Sequence, residues 1–169
     1  MIIRFILNSI EAVIDVNPHS RLSSVLRDNF GLLSTKESCY NGECGACTVL
    51  LDDEPVPACV IPVFTVKNRS VVTLEGFEKT ENYEIIRKSL KSSGCNLCRY
   101  CYQGRILVIH HLLQQFSELN DNEIFEALSG NRCECTDFKS LKKGIKLANL
   151  TLNRKKKAEI GRASCRERV

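Results

Sequence analysis

The sequence contains no tryptophan, one methionine, three histidines and four prolines in 169 residues. Other absences exclude more. No stretch approaches the roughly 18 apolar residues of a membrane span, so no membrane is expected. The start, MIIRFILNSIEAVIDV, has one early Arg and an apolar run broken at Asn8 and Glu11. It reads as two strands rather than a secretory signal, which points to a cytoplasmic chain with reduced thiols. No basic stripe is interleaved with aromatics. The formal net charge of +4 is mild and much of it sits in Arg154-Lys155-Lys156-Lys157, which reads as a solvated tail. Nucleic-acid binding has no support in this pattern. No Ser/His/Asp or paired-carboxylate arrangement is identifiable. His110 and His111 are neighbours without a partner four residues on, and His19 marks a loop or helix start. No catalytic residue is assigned, and the chain is expected to make no bonds itself.

What is abundant is cysteine. Eight of the ten fall into two quartets, Cys39-x4-Cys44-x2-Cys47-x11-Cys59 and Cys98-x2-Cys101-x31-Cys133-x-Cys135. In a reducing compartment their number is explained by metal ligation. Each iron of a [2Fe–2S] cluster is tetrahedral, with two bridging sulfides and two thiolates, so a cluster needs four cysteines. The spacing C-x4-C-x2-C…C is the plant-type ferredoxin arrangement. Its loop must wrap the cluster so closely that backbone N–H groups approach sulfur, and Gly42, Gly45 and Ala46 supply the small residues. A zinc site would ordinarily use two close pairs, which the lone Cys59 does not provide. The second quartet is less specific, because C-x2-C with C-x-C also suits zinc. Cys98 and Cys101 fall at the start of a predicted helix, where free amides favour anionic ligands. Cys95 reads as a buried bystander.

Residues 2–7 and 11–16 read as a β-hairpin, and His19 to Phe30 as a helix stopped by Gly31. Thr48 to Leu51 and residues 70–74 read as strands, with a turn at Asp52 to Pro55. After a polar connection the pattern turns helical: Tyr83 to Ser92, Gln103 to Phe116, Asn120 to Ser129 with a capping box, and Phe138 to Leu150. The expectation is an α+β chain. A ferredoxin-like domain with one helix across a mixed sheet spans 1–77, a linker 78–81, a four-helix domain 82–152, and a basic tail 153–169. A bundle of about 70 residues is marginal without a staple, which four thiolates on a cluster would supply. The last ten residues, IGRASCRERV, match an in-frame translation of a common sequencing-library adapter. They are excluded from fold reasoning, with Cys165. They hold three Arg and one Glu, so the remaining chain carries +2.

Three segments together carry a resemblance: Lys36-Glu37-Ser38-Cys39 through Gly42-Glu43-Cys44-Gly45-Ala46-Cys47-Thr48-Val49; Thr73-Leu74-Glu75-Gly76; and Ala127-Leu128-Ser129-Gly130-Asn131-x-Cys133-x-Cys135-Thr136. Residues 1 to about 150 resemble the small iron–sulfur subunit of the xanthine dehydrogenase (molybdenum hydroxylase) family. Carbon monoxide dehydrogenase, nicotinate dehydrogenase and 4-hydroxybenzoyl-CoA reductase have such subunits. The resemblance implies a ferredoxin-like domain and a four-helix domain with one [2Fe–2S] cluster each. It implies electron flow from a molybdopterin-binding large subunit, through the helical and then the ferredoxin-type cluster, to an FAD-binding medium subunit. The chain would then be the electron-carrying part of an oxidoreductase complex. It has no dinucleotide-binding glycine pattern of its own. The alternatives are a free two-cluster carrier, or a structural subunit whose helical site holds zinc or nothing.

The chain departs from the family around the second quartet. The family's Q-C-G-x-C-x-P-G is replaced by Leu97-Cys98-Arg99-Tyr100-Cys101-Tyr102-Gln103-Gly104, its C-R-C by Cys133-Glu134-Cys135, and the preceding apolar residue by Arg132. The resemblance implies that the missing Gln faces the pterin. A Gly position has gained Arg99 while an Arg position has become Glu134. The exchange predicts an Arg99–Glu134 ion pair; the alternative is two independent surface changes.

Overall fold

The computed structural model describes the backbone of residues 1–131 and 133–166 and side chains up to Ala158, Arg132 apart. Arg132, the Cys165 side chain and the adapter-like side chains lie outside the described residues. The first half holds β1 (Ile2–Leu7), β2 (Ile10–Asp15), α1 (Leu22–Asp28), β3 (Thr48–Leu51), β4 (Glu54–Pro57), β5 (Ser70–Val72) and a short α2 (Leu74–Phe77). Then come α3 (Glu81–Ser92), α4 (Tyr102–Gln115), α5 (Asp121–Leu128) and α6 (Phe138–Arg166).

The five strands lie in the order β2-β1-β5-β3-β4, with β1 and β5 parallel and the other pairs antiparallel. Asn8 and Ser9 both take positive φ, 51° and 69°, which closes the β1–β2 hairpin in two residues. Asp52 and Asp53 do the same between β3 and β4, at 49° and 68°. The expected turn at Asp52 to Pro55 is therefore shorter, and Glu54 to Pro57 pair as a strand. Of residues 70–74 only Ser70 to Val72 pair as a strand; Thr73 stays extended at the N-cap position and Leu74 opens α2.

All four residues of β3 are buried. Val49 and Leu51 pack with Ile3, Phe5, Leu22 and Leu26 beneath α1, whereas Leu50 joins the core built by the helices. Alternation along one strand thus feeds two cores, with α1 on one face of the sheet and α4 on the other. Leu74 and Phe77 of α2 also belong to the second core. Its centre is Ile86, Ile106, Leu107, Ile109, Leu113, Ile124, Leu141 and Ile145, each at most 2 % exposed.

Asn120 and Glu123 form the reciprocal capping box at the start of α5. Thr80 caps α3 through the Tyr83 N–H, so that helix opens earlier than expected, at Glu81. The last helix is longer than expected. Residues after Leu150 are mostly Leu, Lys, Arg and Ala, all strong helix formers, and Leu152 is buried. Lys142 and Lys146 both hold Asp121 of α5, and Lys155 pairs with Glu81 of α3.

Candidate functional site

Three of the first quartet, Cys39, Cys44 and Cys47, sit on the loop between α1 and β3, and Cys59 follows β4. The loop is anchored from three sides. Ser23 and Ser24 of α1 donate to one Glu37 oxygen at 2.7 and 2.8 Å, the Arg27 guanidinium donates to the Thr35 carbonyl at 3.0 Å, and the Ser34 N–H and hydroxyl donate to Glu75 at 2.8 and 2.5 Å. Between Cys39 and Cys47 the chain bends at Tyr40, Gly42 and Gly45, with φ of 57°, 82° and 68°. These left-handed residues turn successive N–H groups inward. Backbone N–H groups of Cys44, Asn41 and Glu43 converge on the Cys39 sulfur and bring that thiol down to about 6. Its thiol neighbour is Cys44. Burial pushes Cys47 up to about 12, and its neighbours are the N–H and thiol of Cys59, held in the turn Ala58–Val60. Cys39 thus has Cys44 beside it and Cys47 has Cys59, with Cys44 also near enough to raise Cys47, an arrangement compatible with two thiolates on each of two irons.

The second quartet gathers three thiols directly. Cys98 Sγ lies 3.2 Å from Cys101 Sγ and 3.7 Å from Cys133 Sγ, and the three lie within 4.8 Å of one another. Thiolates on one tetrahedral metal with bonds of about 2.3 Å stand about 3.8 Å apart, so the set has the right size for metal ligation. Cys135, exposed, adjoins Cys133 and Cys98, whose proximity raises its thiol. Burial tends to raise Cys98, but N–H groups of Cys101 and Tyr100 outweigh it and bring the thiol to about 7. Burial and the neighbouring thiols push Cys101 upward. Cys101 occupies the N-cap position of α4 without a side-chain cap bond, and its own N–H reaches Cys98 Sγ at 3.4 Å. The donor sets of both loops fit iron–sulfur ligation: thiols only, amides aimed at sulfur, and, Cys135 apart, positions at least partly buried.

The two loops touch. Asn131, 2 % exposed, donates from Nδ2 to the Gly45 carbonyl at 3.3 Å. Gly104 packs against the same carbonyl so closely that a Cβ there would collide with it. A Cβ on Gly45 would lie 2.5 Å from the Asn131 amide. Gly45 belongs to the first cysteine loop, Gly104 follows Cys101 and Asn131 precedes Cys133, so the backbones carrying the quartets meet without an intervening side-chain layer.

Arg99 and Glu134 are both exposed and form no ion pair among the described residues. Each reaches solvent, so neither needs the other to stay charged. The cation inside the site is Arg105, buried in the first turns of α4 and donating to the Asn131 carbonyl at 3.0 Å. A single Arg at the edge of a helical apolar run carries no signal that would announce that position. Leu97 and Arg99 line an open cleft of about 440 Å³ with Lys36, Tyr102 and Gln103. Cys95 is buried in the helical core. His110 stacks on Phe77 at 4.4 Å, and His111 bonds through Nδ1 to the Asp53 carbonyl, so both serve the seam between the halves.

The fold and its two thiol-rich loops define the class as a two-part iron–sulfur protein, and comparison with known proteins agrees. The 2Fe-2S iron-sulfur cluster binding domain family matches residues 5–67, and the [2Fe-2S] binding domain family matches residues 73–146. The nicotinate dehydrogenase small FeS subunit of Eubacterium barkeri is 35% identical over 142 residues, covering 84% of this chain and 90% of its own. A probable xanthine dehydrogenase subunit of Bacillus subtilis (strain 168) is 35% identical over 121 residues, 72% of this chain and 69% of its own. Quinoline 2-oxidoreductase from Pseudomonas putida 86 contains a chain that matches with a TM-score of 0.83 and 28% identity, over 91% of this chain and 96% of that one. The chain belongs to the small [2Fe–2S] subunits of the xanthine dehydrogenase, or molybdenum hydroxylase, family. Its work is electron transfer within an oxidoreductase complex.

Proposed function

We propose that Cys39, Cys44, Cys47 and Cys59 hold the first [2Fe–2S] cluster and that Cys98, Cys101, Cys133 and Cys135 hold the second. The observation that carries this reading is the meeting of the two thiol loops at Gly45, Gly104 and Asn131. When bound, each cluster supplies a site for one electron. The protein contributes the thiolates, the N–H groups that stabilise negative sulfur, and the apolar packing that keeps water away from Cys47, Cys59 and Cys101, each 2 % exposed. Residues 1–77 and 82–152 act as the two cluster-bearing domains, joined through 78–81. Electrons enter at the helical domain from a molybdopterin-binding large subunit and leave from the ferredoxin-like domain to an FAD-binding medium subunit, in the cytoplasm. Exposed Ile2, Ile6 and Val13, which share the outer face of the β1–β2 hairpin, favour a fixed partner over a free carrier, because such apolar surface is costly to leave in water.

The test is iron and sulfide analysis with EPR spin counting on anaerobic, dithionite-reduced protein. Two distinguishable [2Fe–2S] signals, each near one spin per chain, are expected. Cys44→Ser should remove or alter one signal and Cys133→Ser the other. Zinc in place of the second signal would overturn the relay.

A further inference from the structure

Arg105 is 6 % exposed, yet it has no carboxylate partner among the described residues. Its Nη2 donates to two backbone carbonyls, Asn131 at 3.0 Å and Cys133 at 3.4 Å, and its Nε is buried without a hydrogen-bond partner. A guanidinium cannot shed its proton to escape burial, unlike a lysine. A buried, unpaired charge is strongly unfavourable, so folded proteins keep one where something neutralises it. Two neutral carbonyls orient the group without balancing it. The exposed Arg99 and Glu134 do not enter the question, since both are solvated.

An anion is due at this place. Arg105 lies one turn after Cys101 on α4, and its fork holds the backbone of Cys133 itself. Four thiolates and two sulfides outweigh the charge of two ferric ions, so the group that these cysteines would hold is negative. Each arriving electron makes it more so. A fixed cation beside it favours the reduced form more than the oxidised form, and in a partly buried site that preference is little screened.

We propose that Arg105 is the internal counter-ion of the second quartet: it holds the Asn131 and Cys133 carbonyls and raises the reduction potential of the cluster bound there. This rests on the assignment of that quartet to a [2Fe–2S] cluster. Arg105 touches backbone rather than sulfur, so it is a positioning and tuning residue. The electron is the only particle that moves. It comes from dithionite in the test and from the molybdenum-bearing partner in the complex, and the guanidinium keeps its proton throughout.

The experiment is an EPR-monitored redox titration of the full-length, cluster-loaded protein, comparing wild type with Arg105→Met and Arg105→Lys. In Arg105→Met the second midpoint should fall by roughly the equivalent of a tenfold change in the reduced-to-oxidised ratio, about 59 mV for one electron. The first midpoint should stay put, and Arg105→Lys, whose ammonium the anionic cluster beside it would keep protonated, should recover most of the shift. A second midpoint unmoved in Arg105→Met, or displaced equally by Met and Lys, overturns the proposal. If Arg105→Met loses the second cluster, Arg105→Lys decides: retention supports the charge, and loss overturns it. A wild-type protein lacking the second signal is a failure of the cluster assignment, a different result from any of these.

Discussion

At the scale of single residues, the site divides into what spacing reveals and what only contact reveals. The two thiol quartets are legible as candidate ligand sets from spacing alone, because a metal dictates the number and rhythm of its ligands. The predicted Arg99–Glu134 pair is absent because two exposed charges gain little from each other in water. Asn131 and Gly45, 86 residues apart, meet only through tertiary packing that no local pattern encodes. Gly104 is the sharpest case. It sits inside a helix, where glycine is unfavourable, and the reason is the Gly45 carbonyl against its Cα. Gly104→Ala should therefore lose about 1–3 kcal/mol through overpacking, despite alanine's better helix propensity. Urea unfolding measures this directly, and a stabilised variant would show that the loops do not press together. Glu75 makes a second residue-level case. Burial tends to raise its carboxyl, but hydrogen bonds from Ser34 and Thr73 outweigh that and hold it below the ordinary range. A lowered folded-state value contributes stability that is full above the unfolded value of about 4.3 and fades as pH falls through the folded one. Wild type should thus lose stability on acidification more steeply than Glu75→Gln, as thermal melts between neutral pH and pH 3 would reveal.

At the scale of elements, the hairpin, α1, β3 and the four later helices follow from periodicity and punctuation. The misses have physical causes. The strand β4 is short and carries Pro55 and Pro57, residues that local preference assigns to turns. The helix α2 is only four residues long and exists because Thr73 and Glu75 fasten it beside Asn8 and Ser34. The final helix runs past Leu150, where a run of lysines reads as a tail, because lysine suits a helix whose buried stripe continues to Leu152. Where sequence signal and structure coincide, the energetics are simple to predict. Asn120→Ala removes the side-chain acceptor for the Glu123 N–H and should cost about 1 kcal/mol in denaturant unfolding. It lies far enough from both quartets in sequence and packing role to leave the cluster spectra unchanged. A spectral change on that substitution would mean that the α5 start supports the Cys133 loop more directly than the hydrogen bonds indicate.

At the scale of the whole molecule, the decisive feature is that one sheet serves two cores. A four-helix half taken alone looks too small to stand without a metal staple. In the structure it does not stand alone: Leu50 of β3, Leu74 and Phe77 complete its core, and α3 packs along α6. Each fully buried apolar side chain contributes about 1.5–3 kcal/mol relative to exposure. That burial does not depend on iron, whereas Cys39, Cys44, Cys98, Cys133 and Cys135 all stand outside the fully buried set. Removing iron should consequently act locally. By hydrogen exchange, residues 39–47, 98–101 and 133–135 should lose protection, because their amides are held by sulfur ligation rather than by a ladder. The strands β1 and β3 and the facing helices α3 and α6 should keep theirs, and reconstitution with iron and sulfide should restore the loops. If α3 and α6 exchanged freely in the iron-free protein, the clusters would be folding elements rather than guests of a preformed frame. Folding and cofactor loading would then be one step. The continuity of the core across β3 argues for the frame, with the two thiol loops pressed together at Gly45 before any cluster arrives.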